Sequence, residues 1–123
     1  QEVLNLLQKT DYEEVMFELS AKALIAKTYF ELSLQANKSM QYEDKLDNFL
    51  VSFTALLQRR KTDLPRHYVY YLNFVKALKN ITKAVHYSSR LDTEKLHSIQ
   101  QTLKQQKKIT ERPWLYRKLS ELV

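Results

Sequence analysis

Apolar residues recur at intervals of three and four along most of the chain, and no useful length alternates with period two, so the pattern predicts helices and no strands. Six segments carry this rhythm. Val3, Leu4, Leu6 and Leu7 form a first apolar face that stops near Thr10–Asp11, where Asp11, Glu13 and Glu14 offer a cap and negative charge to the next helix. The second segment runs to about Asn37 on Val15, Met16, Leu19, Ala23, Ala26, Tyr29, Phe30 and Ser33. A bend is expected near Leu19–Ser20, because Ser20 can cap a fresh turn. The polar stretch Gln35–Gln41 separates it from a third helix, about Tyr42–Lys61, whose stripe is Leu46, Phe49, Leu50, Phe53, Leu56 and Leu57.

Thr62-Asp63-Leu64-Pro65 then places a cap candidate before a proline, which a first helical turn tolerates. The fourth helix, Pro65 to about Tyr87, carries two stripes. Tyr68, Tyr71, Val75, Leu78 and Val85 form one; Tyr70, Phe74, Ala77 and Ile81 form the other. A helix apolar over so much of its circumference has neighbours on two sides. After the break at Ser88–Asp92, Asp92 caps a fifth helix, Thr93 to about Lys108, with a thin stripe of Leu96, Ile99 and Leu103. A sixth begins at Thr110–Pro113 and buries Trp114, Leu115, Leu119 and Leu122.

Composition narrows the function classes. The 123 residues include neither Gly nor Cys. Without Gly, the phosphate-cradling loops, nucleophile elbows and tight two-residue hairpins that need positive φ are not expected. Without Cys there are no disulfides, thiolate metal sites or cysteine nucleophiles. A hydrophobic fraction of 44% is enough for a core, and a domain of this size buries roughly two-thirds of its unfolded surface. The longest near-continuous apolar run, Phe49–Phe53, is far short of a membrane span. His67, His86 and His97 form no H-x-x-x-H or E-x-x-H pair, so no metal site is expected. The acidic clusters Glu13-Glu14, Glu43-Asp44 and Asp92–Glu94 sit at expected helix starts, where the helix dipole accounts for them. The sequons Asn37-Lys38-Ser39 and Asn80-Ile81-Thr82 lack a secretory context. Neither catalysis nor a cofactor is expected.

Two features rise above this background. Residues 1–57 hold five Lys against nine Asp and Glu, whereas residues 58–123 hold fifteen Lys and Arg against five acids. The chain is therefore a dipole. In its basic half Lys76, Lys79 and Lys83, at i, i+3 and i+7, share one face of the fourth helix, and Arg59-Arg60-Lys61 ends the third. Such residues either form a solvated face and answer the helix dipole, or meet an acidic partner or a phosphate backbone. The second feature is eight tyrosines, with Tyr68, Tyr70 and Tyr71 crowded beside Phe74. Rings of this kind serve either helix packing or an interface. The candidate partner-binding residues are thus Lys76, Lys79, Lys83, Tyr70, Arg59 and Arg60.

Ile25-Ala26-Lys27-Thr28-Tyr29-Phe30 resembles the L-G-x-x-Y core of a tetratricopeptide first helix, and Phe49 followed by Ser52 resembles second-helix positions of that repeat. Lys22 stands where that motif has tryptophan, and 45 residues separate Ser20 from Pro65 against a repeat of about 34. A wider set also resembles the C-terminal end of a family of uncharacterised bacterial helical-repeat proteins: Tyr12–Val15, Leu19–Lys22, Ala26–Leu32, Leu46 with Phe49, Arg59–Lys61, Tyr71–Lys76 and Arg112–Leu115. That resemblance implies a cytoplasmic scaffold and a chain belonging to a longer repeat protein, and it assigns no functional residues.

The expectation is one all-α domain of about six helices in antiparallel pairs, arranged as a TPR-like αα-solenoid, with a closed helical bundle as the alternative. Its expected work is protein–protein interaction, with nucleic-acid binding by the basic half as the alternative. Helix one would face a preceding repeat, so its apolar residues would let the chain associate with itself.

Overall fold

The computed structural model describes residues 2–35, 37, 39–86 and 91–123. Tyr87, the Ser88–Arg90 connection and Lys38 of the first sequon lie outside the described residues, as do the side chains of Leu4 and Leu7. Among the described residues there are five helices and no strand: α1 (Glu2–Ser33), α2 (Ser39–Arg59), α3 (Pro65–His86), α4 (Thr93–Gln105) and α5 (Arg112–Leu122). The expected first and second helices are one. The backbone runs through Thr10–Asp11 and Leu19–Ser20 without a break. Asp11, Glu13 and Glu14 are exposed along it, and the Ser20 hydroxyl meets Tyr71 Oη at 3.3 Å instead of capping a turn. With no Gly or Pro in the segment, nothing ends the helix there.

Pro65 opens α3 as expected, with the buried Leu64 supplying the first carbonyl to Tyr68 N–H at 2.8 Å. Asp92 caps α4 by accepting from Lys95 N–H at 3.1 Å. The fifth expected helix stops earlier than its polarity implies. Residues 106–110 leave α4 as a strap across α3, with Ile109 buried, Lys108 C=O accepting from Asn73 Nδ2 at 2.8 Å and Thr110 N–H donating to Tyr70 C=O at 3.3 Å. The strap ends at Glu111, whose φ of 59° is left-handed. A glycine-free chain therefore does use one positive-φ position, contrary to expectation. Glu111 is anchored there by Lys27 Nζ at 2.6 Å.

Cross-helix contacts give the directions. Glu18 meets Arg60 and Tyr29 meets Tyr42; Phe53 meets Tyr71 and Glu43 meets His86; Ala84 meets Asp92 and Asn73 meets Lys108; Lys104 meets Arg112 and Gln100 meets Ser120. Consecutive helices are therefore antiparallel, each packed on the next. The odd-numbered helices run parallel and converge on Trp114, whose ring centroid is 5.8 Å from Phe30 of α1 and 6.5 Å from Phe74 of α3. Phe30, Phe53, Phe74, Leu46, Leu50 and Leu78 are fully buried in a single core. α3, between α2 on one side and α4 and α5 on the other, buries Tyr71, Val75 and Leu78 of one stripe and Phe74 and Ile81 of the other, with the remaining stripe residues half-buried.

Ionic contacts reinforce this packing. Lys118 of α5, almost buried, donates to Glu31 of α1 at 2.5 Å and to Glu121 at 3.1 Å. Burial works against its charge, but the hydrogen bonds and charges of Glu31 and Glu121 outweigh it and hold the Lys118 ammonium above its ordinary range. A raised lysine adds stability that is complete below its unfolded pKa and is lost as pH rises through the higher folded one. Denaturant melts taken from neutral pH to above pH ~10.4, the ordinary lysine value, will show a loss of stability at the alkaline end. Lys118→Met will show a smaller loss over the same range. Phe74→Ala will lower unfolding free energy by about 3–5 kcal/mol in urea titrations, because its fully buried ring packs against Trp114 in the core.

Candidate interaction surface

The exposed side of α3 is opposite its core stripe, and Lys76 and Lys83 stand on it in line, seven residues or about 10 Å apart. Lys79 does not share that position. It lies to one side, half-buried, three and four residues from Thr82 and Val75 of the buried face. Lys76 instead borders a groove between α3 and α4 of about 320 Å³. Antiparallel pairing brings Lys95 to the same groove, with the amides of Asn73, Asn80 and Gln106 along it and Ile99 at its floor. None of the residues lining it is acidic. Lys76, Lys83 and Lys95 are exposed and their ammonium groups make no ion pair among the described residues. Sequence reasoning missed Lys95, because its partnership with Lys76 exists only once α4 turns back along α3.

The other candidates fall elsewhere. Arg59 is exposed at the end of α2, without an ion pair among the described residues. Arg60 is a structural residue: its guanidinium reaches Glu18 at 3.6 Å and Asp63 at 3.5 Å, joining α1 to the turn between α2 and α3. Its Nε is buried without a hydrogen-bond partner. Lys61 lies over the Tyr68 ring, 5.4 Å from the centroid, so the basic triplet is dispersed rather than presented as a unit. Tyr70 is half-buried beside the strap, near Arg66, Val69 and Lys108. Tyr71 is buried against Phe53, 6.3 Å between centroids, and Tyr68 Oη accepts from Gln58 at 2.9 Å. These tyrosines serve packing more than a surface.

One arrangement of catalytic residue types was not visible in the sequence. His86 of α3 has Nε2 3.1 Å from Ser33 Oγ of α1 and Nδ1 3.8 Å from Glu43 Oε2 of α2. Ser33 is wholly buried and donates its own proton to Phe30 C=O at 2.6 Å, so His86 Nε2 is the donor to Ser33. The hydroxyl is thereby neither activated nor accessible, and the three residues tie three helices together. No metal-binding group of three or more His, Asp or Glu side chains occurs among the described residues, and no helix is long and apolar enough to cross a membrane.

No protein-family model, curated protein or solved structure matches the chain.

Truncation separates the packing tyrosines by burial. Tyr71→Ala will cost about 3 kcal/mol in a urea melt, and Tyr70→Ala distinctly less.

Proposed function

We propose that the chain is a protein-interaction scaffold without catalysis, and that an acidic segment of a partner docks on the α3–α4 face. The observation that carries this reading is the pair Lys76 and Lys95, exposed and without an ion pair among the described residues, on a groove with no carboxylate in its lining, with exposed Lys83 seven residues along α3 from Lys76. Desolvating such a face against neutral partners gains nothing electrostatically, whereas carboxylates would be steered to it. The alternating amides of Asn73, Asn80 and Gln106 supply donors and acceptors for a peptide backbone.

A TPR-like array in the cytoplasm, within a longer repeat protein, is the setting that fits this reading. Support comes from the parallel run of α1, α3 and α5 and from the sequence resemblance; in that arrangement α1–α2 and α3–α4 are the repeated hairpins and α5 covers the end of the stack. The same lysines would also meet phosphates, which keeps nucleic acid as the second reading. Against it, among the described residues, stands the burial of the α3 rings that could stack bases: Tyr68 and Tyr70 are half-buried and Tyr71 is buried.

The test is fluorescence anisotropy with a labelled peptide of alternating leucine and glutamate, and with labelled single- and double-stranded oligonucleotides, at low and near-physiological salt. The peptide will bind, and the triple change Lys76→Glu, Lys83→Glu, Lys95→Glu will weaken it at least tenfold while Arg60→Gln leaves affinity unchanged. Oligonucleotide binding will vanish at the higher salt. Oligonucleotide affinity that survives there with a steep salt slope would transfer the face to nucleic acid.

A further inference from the structure

The largest departure from ordinary surface composition is on α1, remote in sequence from the basic face. Val3, Phe17 and Leu24 expose 72%, 78% and 59% of their surface. They are separated by fourteen and seven residues, whole heptads, so they follow the seam that a second helix would take in a left-handed pairing. The row lies opposite the buried Leu19, Ala23, Ala26 and Phe30 and spans roughly 30 Å, the length of about 20 helical residues. Isolated exposed apolar residues need no explanation, but large ones aligned along one helix face do.

The charges beside this row identify its occupant. Glu13 and Glu14 are exposed four and three residues before Phe17, which places them next to it on the helix surface. Glu13 has only a loose contact of 3.9 Å with Lys9, both largely exposed, and Glu14 has no ion pair among the described residues. Of the other lysines of the helix, Lys27 is committed to Glu111 and Lys22 lies over the Phe49 ring, 5.7 Å from its centroid. The row therefore has apolar residues at three of its four heptad positions, Thr10 at the other, and carboxylates at its middle. A second copy fits poorly. Because Glu13 and Glu14 lie midway between Val3 and Leu24, a symmetric pairing of two α1 helices, parallel or antiparallel, sets them against their own equivalents. The basic face of a second copy fits no better, since Lys76, Lys83 and Lys95 are accompanied by no exposed apolar row.

We propose that the outer face of α1 binds an amphipathic helix of a partner protein, about 20 residues long, with leucine-like residues at heptad spacing and lysine or arginine beside them. The partner's apolar side covers Val3, Phe17 and Leu24, and its cations meet Glu13 and Glu14. The recognition is that of an amphipathic helix laid on an apolar strip. This surface is separate from the α3–α4 groove and stands whether or not that groove binds acidic peptides.

The probe is a fluorescein-labelled 21-residue helical peptide with leucine at the seam positions and lysine beside them, titrated against the full chain at near-physiological salt. A second peptide of the same composition in scrambled order is the control. The designed peptide will bind at least tenfold more tightly than the scrambled one. Phe17→Ser with Leu24→Ser will weaken it at least tenfold with helix content unchanged, since both side chains are exposed. Glu13→Lys with Glu14→Lys will also weaken it, and will instead favour a peptide whose lysines are replaced by glutamate. Lys76→Glu with Lys83→Glu will leave affinity unchanged, which separates this surface from the proposed groove. Equal binding of the two peptides, or binding that survives Phe17→Ser with Leu24→Ser, would overturn the proposal. So would sedimentation showing a dimer that those two substitutions dissociate.

Discussion

The indole of Trp114 lies between Phe30 of α1 and Phe74 of α3, and the arrangement of the other helices follows from that contact. Two antiparallel hairpins alone would leave the apolar sides of α1 and α3 open at one end. Trp114 fills that opening, and the ion pairs of Lys118 with Glu31 and of Lys27 with Glu111 hold α5 and its entry turn in register with α1. Aromatic burial supplies most of the gain, because each ring removes a large apolar area from water. The ion pairs contribute orientation more than net stability, since their desolvation offsets much of their attraction.

With α3 fixed between its neighbours, its outer side stays open and keeps Lys76 and Lys83 exposed. The antiparallel return of α4 then brings Lys95 to the same groove as Lys76, and the strap at 106–110 closes one end of the groove through Asn73 and Thr110. Packing thus converts a diffuse excess of lysine and arginine into a defined surface. The acidic half is organised by the same logic, with α1 spending one face on the core and leaving the opposite face apolar at the edge of the molecule.

Much of this fold was legible in the sequence wherever a local rule decided the outcome. Pro65 and Asp92 mark helix starts because φ and capping geometry depend on neighbouring residues alone. The core stripes of α2 and α3 follow from spacing. The split of α1 was misread because Asp11 and Ser20 suit a cap as well as an exposed helical position, and the choice depends on what the remaining faces pack against. The strap and the left-handed Glu111 depend on Lys27, 84 residues away, so no local pattern announces them. The candidate surface divides in the same way. Lys76 and Lys83 were visible by periodicity, while Lys95 and the structural commitment of Arg60 to Glu18 arise only from helix pairing.

The central question is where an acidic ligand touches the molecule. Hydrogen–deuterium exchange of the full chain, with and without the alternating leucine–glutamate peptide, reads this segment by segment. Added protection confined to α3 around residues 73–83 and to α4 with the strap, residues 95–106, is the predicted result. Protection centred on α1 and α2, or none at a peptide concentration that saturates the anisotropy signal, would contradict it.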